Sequence, residues 1–499
     1  MPRLLQADTL YDRWWSAATP DAAAAIGDEI AASGISFDAA LAKLKAGRPY
    51  SRRVPTGIVR SSRREGDIEF FYSVNVPADY DPSRAYPVRI HLHGGVTVPE
   101  DNQPRGSGDI GELAGGDPHI YVLPSGWVEA PWWTDFQVRN LREILRTVKR
   151  TYNVDENRVS LSGVSDGGTS AWFVAMRDPG PYASFVSLIG SVMVLRNRAL
   201  VRNDLFPNNL CNRPFFVVNG ALDPLYPTAL VEPVLRHLKD HGVTIDYHPQ
   251  ITGAHNVAWW PQLQPAADEF LRHSRRSALA DTLTWECSDG AAQTRASWLR
   301  IDRVRAGKER QLPDVNLMPM PPTREFGVMS LGTRVTTVVV GSSAARVGLR
   351  RGDLVMSVDG APLPAGEDFD QALARCRPAN PIAISVLRDG AQVELKGFYE
   401  PVPVGDGSLR LFERRNPSGR VDVAKTGNTV NVATSGVEAF TLLLSPDAFD
   451  FTKPIAVAVN GRPTFEKNVE PSVRTLMKWA AIDDDRTLLF GYELPIVVD

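Results

Sequence analysis

Apolar residues recur three and four positions apart in two early stretches, Asp21–Ile30 and Phe37–Leu44. That spacing lines one face of a helix, so residues 1–60 are expected to form a helical N-terminal extension that caps a core without chemistry of its own. Arg52–Arg64 is basic and polar and reads as a connector or solvated hairpin. From Asp67 the period changes to two. Ile68–Val76, Tyr86–Leu92, His119–Pro124, Arg158–Ser162, Phe185–Gly190, Pro214–Gly220 and Thr244–His248 are short β-rich runs. Helical stretches separate the later ones, at about Val138 to Tyr152, Gly168 to Met176, Pro227 to His241 and Gln264 to Arg275. Strands alternating with helices predict a mostly parallel sheet covered on both faces. The expected fold class is therefore α/β, over residues 61–278.

Past Ser277 the pattern changes again. Thr282–Cys287 and Ala296–Val304 alternate as strands, and Pro313–Pro322 carries four prolines and two methionines, a linker composition. The end of the chain is β-rich, in Arg420–Ala424, Thr429–Thr434, Thr441–Leu444, Ile455–Arg462 and Thr487–Leu494, with one helix at Ser472–Ala481.

Composition narrows the class. Hydrophobic residues at 43% and charged residues at 23% are enough to bury a full core. A formal charge of −3 argues against nucleic acid or an anionic membrane as the main partner. Cys211, Cys287 and Cys376 lie too far apart for a disulfide framework or a metal-ligand cluster. No run of about 18 apolar residues exists to span a membrane. Met1–Asp8 lacks the apolar segment of a secretory signal. The expected compartment is the cytoplasm, or the periplasm or exterior if the N-terminus has been trimmed.

The chemistry concentrates at Gly163-Val164-Ser165-Asp166-Gly167. A serine between a strand and a helix, with glycine two residues away on each side, fits the sharp turn of a nucleophile elbow. A serine nucleophile needs a base, an acid to orient the base, and donors for the oxyanion. In a parallel sheet such groups gather at the carboxyl ends of strands. Asp223 follows the strand Phe215–Asn219, and His255 follows the last strand, in the chain order Ser165, Asp223, His255. Asp246 is the rival acid, but it falls within a strand. The expected oxyanion donors are backbone N–H groups of Gly95 and Asp166, with Gly94 giving the turn room to approach. His91 and His93 read as ties for that turn. Trp127, Trp133 and Trp259 adjoin the same edge and fit either a substrate pocket or core packing. A carboxylate at Asp166 is expected to disfavour acidic substrates.

Val76-Pro-Ala-Asp-Tyr-Asp, Leu92-His-Gly-Gly, Gly163-Val-Ser-Asp-Gly-Gly, Gly220-Ala-Leu-Asp and Gly253-Ala-His together resemble the α/β-hydrolase superfamily over residues 65–275. The resemblance is greatest to its esterase branch, with feruloyl esterases, polyhydroxybutyrate depolymerases and prolyl-oligopeptidase-like hydrolases. It implies a serine hydrolase acting on an ester, or alternatively on a peptide, with no metal or cofactor.

Glu325-Phe-Gly-Val and Gly341-Ser-Ser-Ala-Ala-Arg-Val-Gly-Leu-Arg-Arg-Gly-Asp353 resemble a PDZ domain of the bacterial type, placed at residues 320–402. The resemblance implies that Phe326, Gly327 and Val328 form a carboxylate-binding loop and that Asp368–Cys376 is the helix along the groove. A protein C-terminus would then add a strand to the sheet edge. The strands on either side resemble the C-terminal β-domain of some related hydrolases. This implies one β-sandwich-like domain from 279–312 plus 405–499, with the PDZ unit inserted. A catalytically silent PDZ adaptor is the alternative of a different kind.

Overall fold

The computed structural model describes residues 2–96, 116–197, 200–305, 315, 317–319, 326–364, 366–376, 379–400, 408–412 and 414–498. Three helices open the chain: α1 (Pro2–Ser16), α2 (Pro20–Ala32) and α3 (Phe37–Ala46). Thr19 and Ser36 cap α2 and α3 by accepting from Ala22 N and Ala39 N, which satisfies amides that a helix start leaves open. Their apolar faces bury Tyr11, Trp14, Ile30 and Leu44 against Leu476 and Met477 near the other end of the chain. The cap rests on a partner more than 400 residues away, which periodicity alone does not reveal.

Next comes an eight-stranded sheet built from β1 (Gly57–Glu65), β2 (Ile68–Val76), β3 (Tyr86–Leu92), β4 (Ile120–Pro124), β5 (Val154–Val164), β6 (Ser184–Leu188), β7 (Phe215–Val218) and β8 (Ile245–Tyr247). Its order is β1-β2-β4-β3-β5-β6-β7-β8, parallel from β4 through β8 and antiparallel at β1 and β2. Of the two readings for Arg52–Arg64, connector or solvated hairpin, the hairpin holds from residue 57, because Gly57–Glu65 is a full strand paired along its length with β2. Its arginines had masked it. An edge strand uses charged side chains to discourage further pairing, and Arg60 and Arg64 are exposed.

Side chains alternate across the sheet as the two-residue period requires. Phe215 and Val217 enter the larger core, while Phe216 and Val218 pack on the opposite face with Trp259 and Trp260. The connecting helices are α4 (Asp135–Thr151), α5 (Asp166–Arg177), α6 (Thr228–Asp240) and α7 (Trp260–His273). Helix α4 begins three residues before the expected Val138, where Asp135 forms its acidic first turn.

Two further sheets share one apolar core. One runs β24-β23-β21-β20-β9 and the other β10-β11-β22-β25. Here β9 is Thr282–Ser288, β10 Arg295–Ala296, β11 Leu299–Val304, β20 Ser418–Thr426, β21 Thr429–Ser435, β22 Val437–Leu444, β23 Ile455–Val459, β24 Arg462–Lys467 and β25 Tyr492–Val497. Strands before residue 305 therefore pair with strands after residue 417. Thr487–Phe490, expected as strand, precedes β25, and Phe490 is buried in this core instead. Between them lies a third unit with its own sheet, from β13 (Val328–Leu331) to β18 (Ala391–Phe398), and a helix at Phe369–Ala374. The short strands β12 (Leu317–Pro319) and β19 (Ser408–Arg410) pair at its base, and Met318, Leu411 and Phe412 anchor that pair in the main α/β core. Among the described residues no helix is long and apolar enough to cross a membrane.

Candidate active site

Ser165 stands between β5 and α5 with φ 54° and ψ −114°, a conformation that L residues avoid and that marks stored strain. The flanking glycines explain how the turn is possible. A Cβ at Gly163 would lie 2.2 Å from Gly167 C, and one at Gly167 would lie 2.0 Å from Leu92 O. Both contacts are with backbone, so neither can yield by a side-chain rotation. Ser165 N donates to Leu188 O at 2.9 Å, which fixes the turn to the neighbouring strand.

The structure brings Ser165, His255 and Asp223 together. Ser165 Oγ lies 2.9 Å from His255 Nε2, and His255 Nδ1 lies 2.8 Å from Asp223 Oδ2. Asp223 has a fully buried side chain, and its Oδ1 accepts from Leu225 N at 2.8 Å and Tyr226 N at 3.1 Å. The histidine keeps 23% of its side chain exposed, so the site opens to solvent at the imidazole. The two loops are joined, with Ala221 N donating to Gln250 O and Leu222 N to Gly253 O. Asp246, the rival acid, is half-exposed and lies 2.9 Å from His248 Nε2 instead.

The Gly94–Gly95 turn lies against Ser165. A Cβ at Gly94 would come 3.0 Å from Ser165 Cβ, and Gly95 has φ 70°. His93 ties this turn down. Its Nε2 accepts from Gly126 N at 3.1 Å, so Nδ1 carries the proton and donates to Gly94 O at 2.8 Å. Trp132 Nε1 donates to His93 O at 2.9 Å and stacks edge-on against the imidazole. Burial pushes the His93 pKa down, against the Gly94 carbonyl and Asp166, which push it up. His91 is buried, 2.9 Å from Ser162 Oγ, and burial followed by the proximity of His93 pushes its pKa down to about 3. Both are neutral structural imidazoles at pH 7.

Tyr226 is a neighbour of the site that sequence reasoning missed. Tyr226 presents its ring edge-on to His255 at 5.7 Å. Burial, then Asp166 and Asp223, raise its pKa. Its position one residue before Pro227, in the loop after the acid, was the available signal. Of the two readings given for the tryptophans, pocket or core, their burial favours the core. Trp127 is 4% exposed and packs on Phe70, and Trp133 is 3% exposed in the main core. Trp259 is buried with the apolar residues of α7. Tryptophans near a cleft and tryptophans under it look alike in sequence.

In the third unit, Phe326 is buried edge-on against Tyr399 and Gly327 has φ 85°. Gly327 O accepts from Val339 N at 2.8 Å, and Val328 pairs with Val338. With both flanking side chains buried, backbone is what this loop offers. Strand β13 is the last in its sheet, and helix α6 packs near it. Glu325, at the head of the expected loop, lies outside the described residues. Among the described residues no group of three or more His, Cys, Asp or Glu side chains is placed to hold a metal ion.

Two parts of the chain match known families. Residues 64–311 match the family described as putative esterase, and residues 313–396 match the PDZ domain. Metalloprotease MmpA of Caulobacter vibrioides is 34% identical over 138 residues, 26% of this chain and 31% of that protein's length. Among solved structures, a thermostable esterase is 21% identical with a TM-score of 0.36, covering 44% of this chain and 63% of that one. The apo form of Thermogutta terrifontis esterase 2 is 15% identical with a TM-score of 0.37, covering 45% of this chain and 97% of that one. The family match supports a hydrolase.

Proposed function

We propose that this chain, an esterase-family segment joined to a PDZ domain, is a serine hydrolase that cleaves a carboxylic ester through an acyl-enzyme. The observation that carries the proposal is the pair of contacts at 2.9 Å and 2.8 Å linking Ser165, His255 and Asp223 on a strained elbow. Ser165 Oγ attacks the ester carbonyl while His255 Nε2 takes its proton. Asp223 holds Nδ1–H and stabilises the imidazolium that forms. The N–H groups of Gly95 and Asp166 receive the oxyanion. The imidazolium then protonates the departing alcohol. Water repeats the sequence on the acyl-enzyme and frees the acid. The PDZ groove between β13 and Phe369–Ala374 receives the C-terminus of a protein partner by strand addition.

Hydrolysis of p-nitrophenyl acetate and labelling by a fluorophosphonate probe, on wild type and Ser165→Ala, test this. Wild type should turn over and label, and the variant should do neither. A wild type that folds yet neither labels nor hydrolyses would leave the PDZ-centred adaptor as the better reading. Turnover of a peptide amide with no turnover of small esters would favour a peptidase.

A further inference from the structure

Asp166 follows the nucleophile directly, and its carboxylate is engaged at a distance. Asp166 Oδ2 accepts from Val96 N at 3.0 Å, 70 positions away in the chain. Val96 is 1% exposed and ends the Gly94-Gly95 turn. The two sides of that turn are held by different means. On the N-terminal side, His93 is fixed by Gly126 N and Trp132 Nε1, both from the segment after β4. On the C-terminal side the tie is Asp166, which belongs to the first turn of the nucleophile's own helix. Among the described residues Asp166 makes no ion pair, so this amide is the partner its geometry selects. A bond from N–H to a carboxylate is stronger than one to a neutral acceptor.

We propose that Asp166 is a positioning residue whose carboxylate ties the Gly94–Val96 turn to helix α5, so that the two N–H groups assigned to the oxyanion are held in one frame. The inference rests on the serine-hydrolase reading above. Oxyanion donors act only when they sit at hydrogen-bond distance from where the charge develops. A displacement of about 1 Å in such a frame costs on the order of 100-fold in rate. One donor comes from the residue after Ser165 and the other from the turn, so the carboxylate spans the joint between them.

Two substitutions separate this role from a mere effect of charge. Asp166→Asn removes the charge but keeps an oxygen that accepts from Val96 N. Asp166→Ala removes both. On the full chain, with p-nitrophenyl acetate, Asp166→Ala should lower kcat by roughly 100-fold with KM within about threefold. Asp166→Asn should lower kcat by roughly 10-fold, less than the alanine variant, because its neutral oxygen still accepts from Val96 N but more weakly than a carboxylate. Inhibition by a trifluoromethyl ketone, which mimics the tetrahedral adduct, should weaken in Asp166→Ala by the same factor as kcat/KM. A purely structural role would lower the melting temperature without this match. If the alanine variant does not fold, Asp166→Ser replaces it, since serine suits a first helical turn and its hydroxyl is shorter by one bond. Equal losses in the asparagine and alanine variants would overturn the proposal in favour of charge, and wild-type kcat in Asp166→Ala would overturn it outright. Failure of the wild type to label with fluorophosphonate would instead bring down the hydrolase reading itself, whereas labelling that Ser165→Ala abolishes leaves that reading standing whatever Asp166 does.

Discussion

Asp223→Asn should abolish turnover while leaving the fold intact, and the surrounding amides say why. Asp223 Oδ1 accepts from two backbone N–H groups, Leu225 and Tyr226, and Oδ2 faces His255 Nδ1. An asparagine has one accepting atom. Turning its NH2 toward the loop would oppose two donors that cannot change. Turning it toward His255 opposes one, and that one relieves itself by moving the imidazole proton from Nδ1 to Nε2. The second orientation wins. Nε2–H then points at Ser165 Oγ, 2.9 Å away, and cannot take its proton. A wrong tautomer of this kind costs about 10⁴-fold in kcat, or about 5.5 kcal/mol of barrier. Because the loop amides keep their acceptor, the melting temperature should move by no more than a few degrees. Initial rates on p-nitrophenyl acetate, with Ser165→Ala as background, measure the first quantity and thermal unfolding the second. Asp223→Asn retaining more than a tenth of wild-type kcat would refute the argument.

Other consequences are as definite. Gly167→Ala places a Cβ 2.0 Å from Leu92 O, a backbone contact, and should destabilise the chain by about 2–3 kcal/mol in urea unfolding. Asp485→Asn leaves the Arg276 guanidinium, 1% exposed and 2.7 Å from that carboxylate, buried without its counter-charge. The expected loss is about 3–5 kcal/mol, with an Arg276→Met, Asp485→Leu double variant recovering part of it. Burial raises the Asp485 carboxyl pKa, but Arg276 and Lys149 outweigh it and hold the group below the usual range. Stability from this pair is therefore present above the ordinary carboxyl pKa and lost as pH falls through it toward the folded value. For His91 the folded pKa of about 3 lies below the ordinary value of 6.5. Below pH 6.5 the unfolded chain takes up a proton that the folded chain refuses, so stability falls as pH drops, by about 2 kcal/mol between pH 6.5 and 5. His91→Asn should flatten the slope of melting temperature against pH over that range, and an unchanged slope would contradict the assignment.

Much of the α/β layout was legible because its signals are local. Gly163 and Gly167 flank a serine at a strand end, where only glycine leaves room for the crossing backbone. Asp223 and His255 each follow a strand, and parallel strands deliver their ends to one edge. What the sequence hid depends on partners far away. The strand Gly57–Glu65 read equally as a connector or a solvated hairpin because its arginines are an edge strand's defence, and its pairing with Ile68–Val76 decides for the hairpin. Trp127 and Trp133 looked as fit for a pocket as for a core, since composition does not say which way a ring points. The link from Asp166 to Val96 joins residues 70 apart and has no sequence period at all.

The unit at Val328–Phe398 is also tied to the rest by contacts that no local pattern announces. Its entry and exit strands, Leu317–Pro319 and Ser408–Arg410, pair with each other and return Met318 and Phe412 to the α/β core. His237 Nε2 on α6 lies 2.9 Å from Val315 O, so the entry segment is hydrogen-bonded to the helix that follows the acid loop. That same helix packs near β13, the edge on which a peptide would add. Glu232 on α6 also lies close enough to Asp368, the N-cap of the groove helix, for the two carboxylates to repel; burial first and Asp368 in part raise the Glu232 pKa. A peptide that added to β13 would lie near α6, whose first residue comes five positions after Asp223. The fold thus sets β13, the last strand of its sheet, near the helix that follows the Asp223 loop.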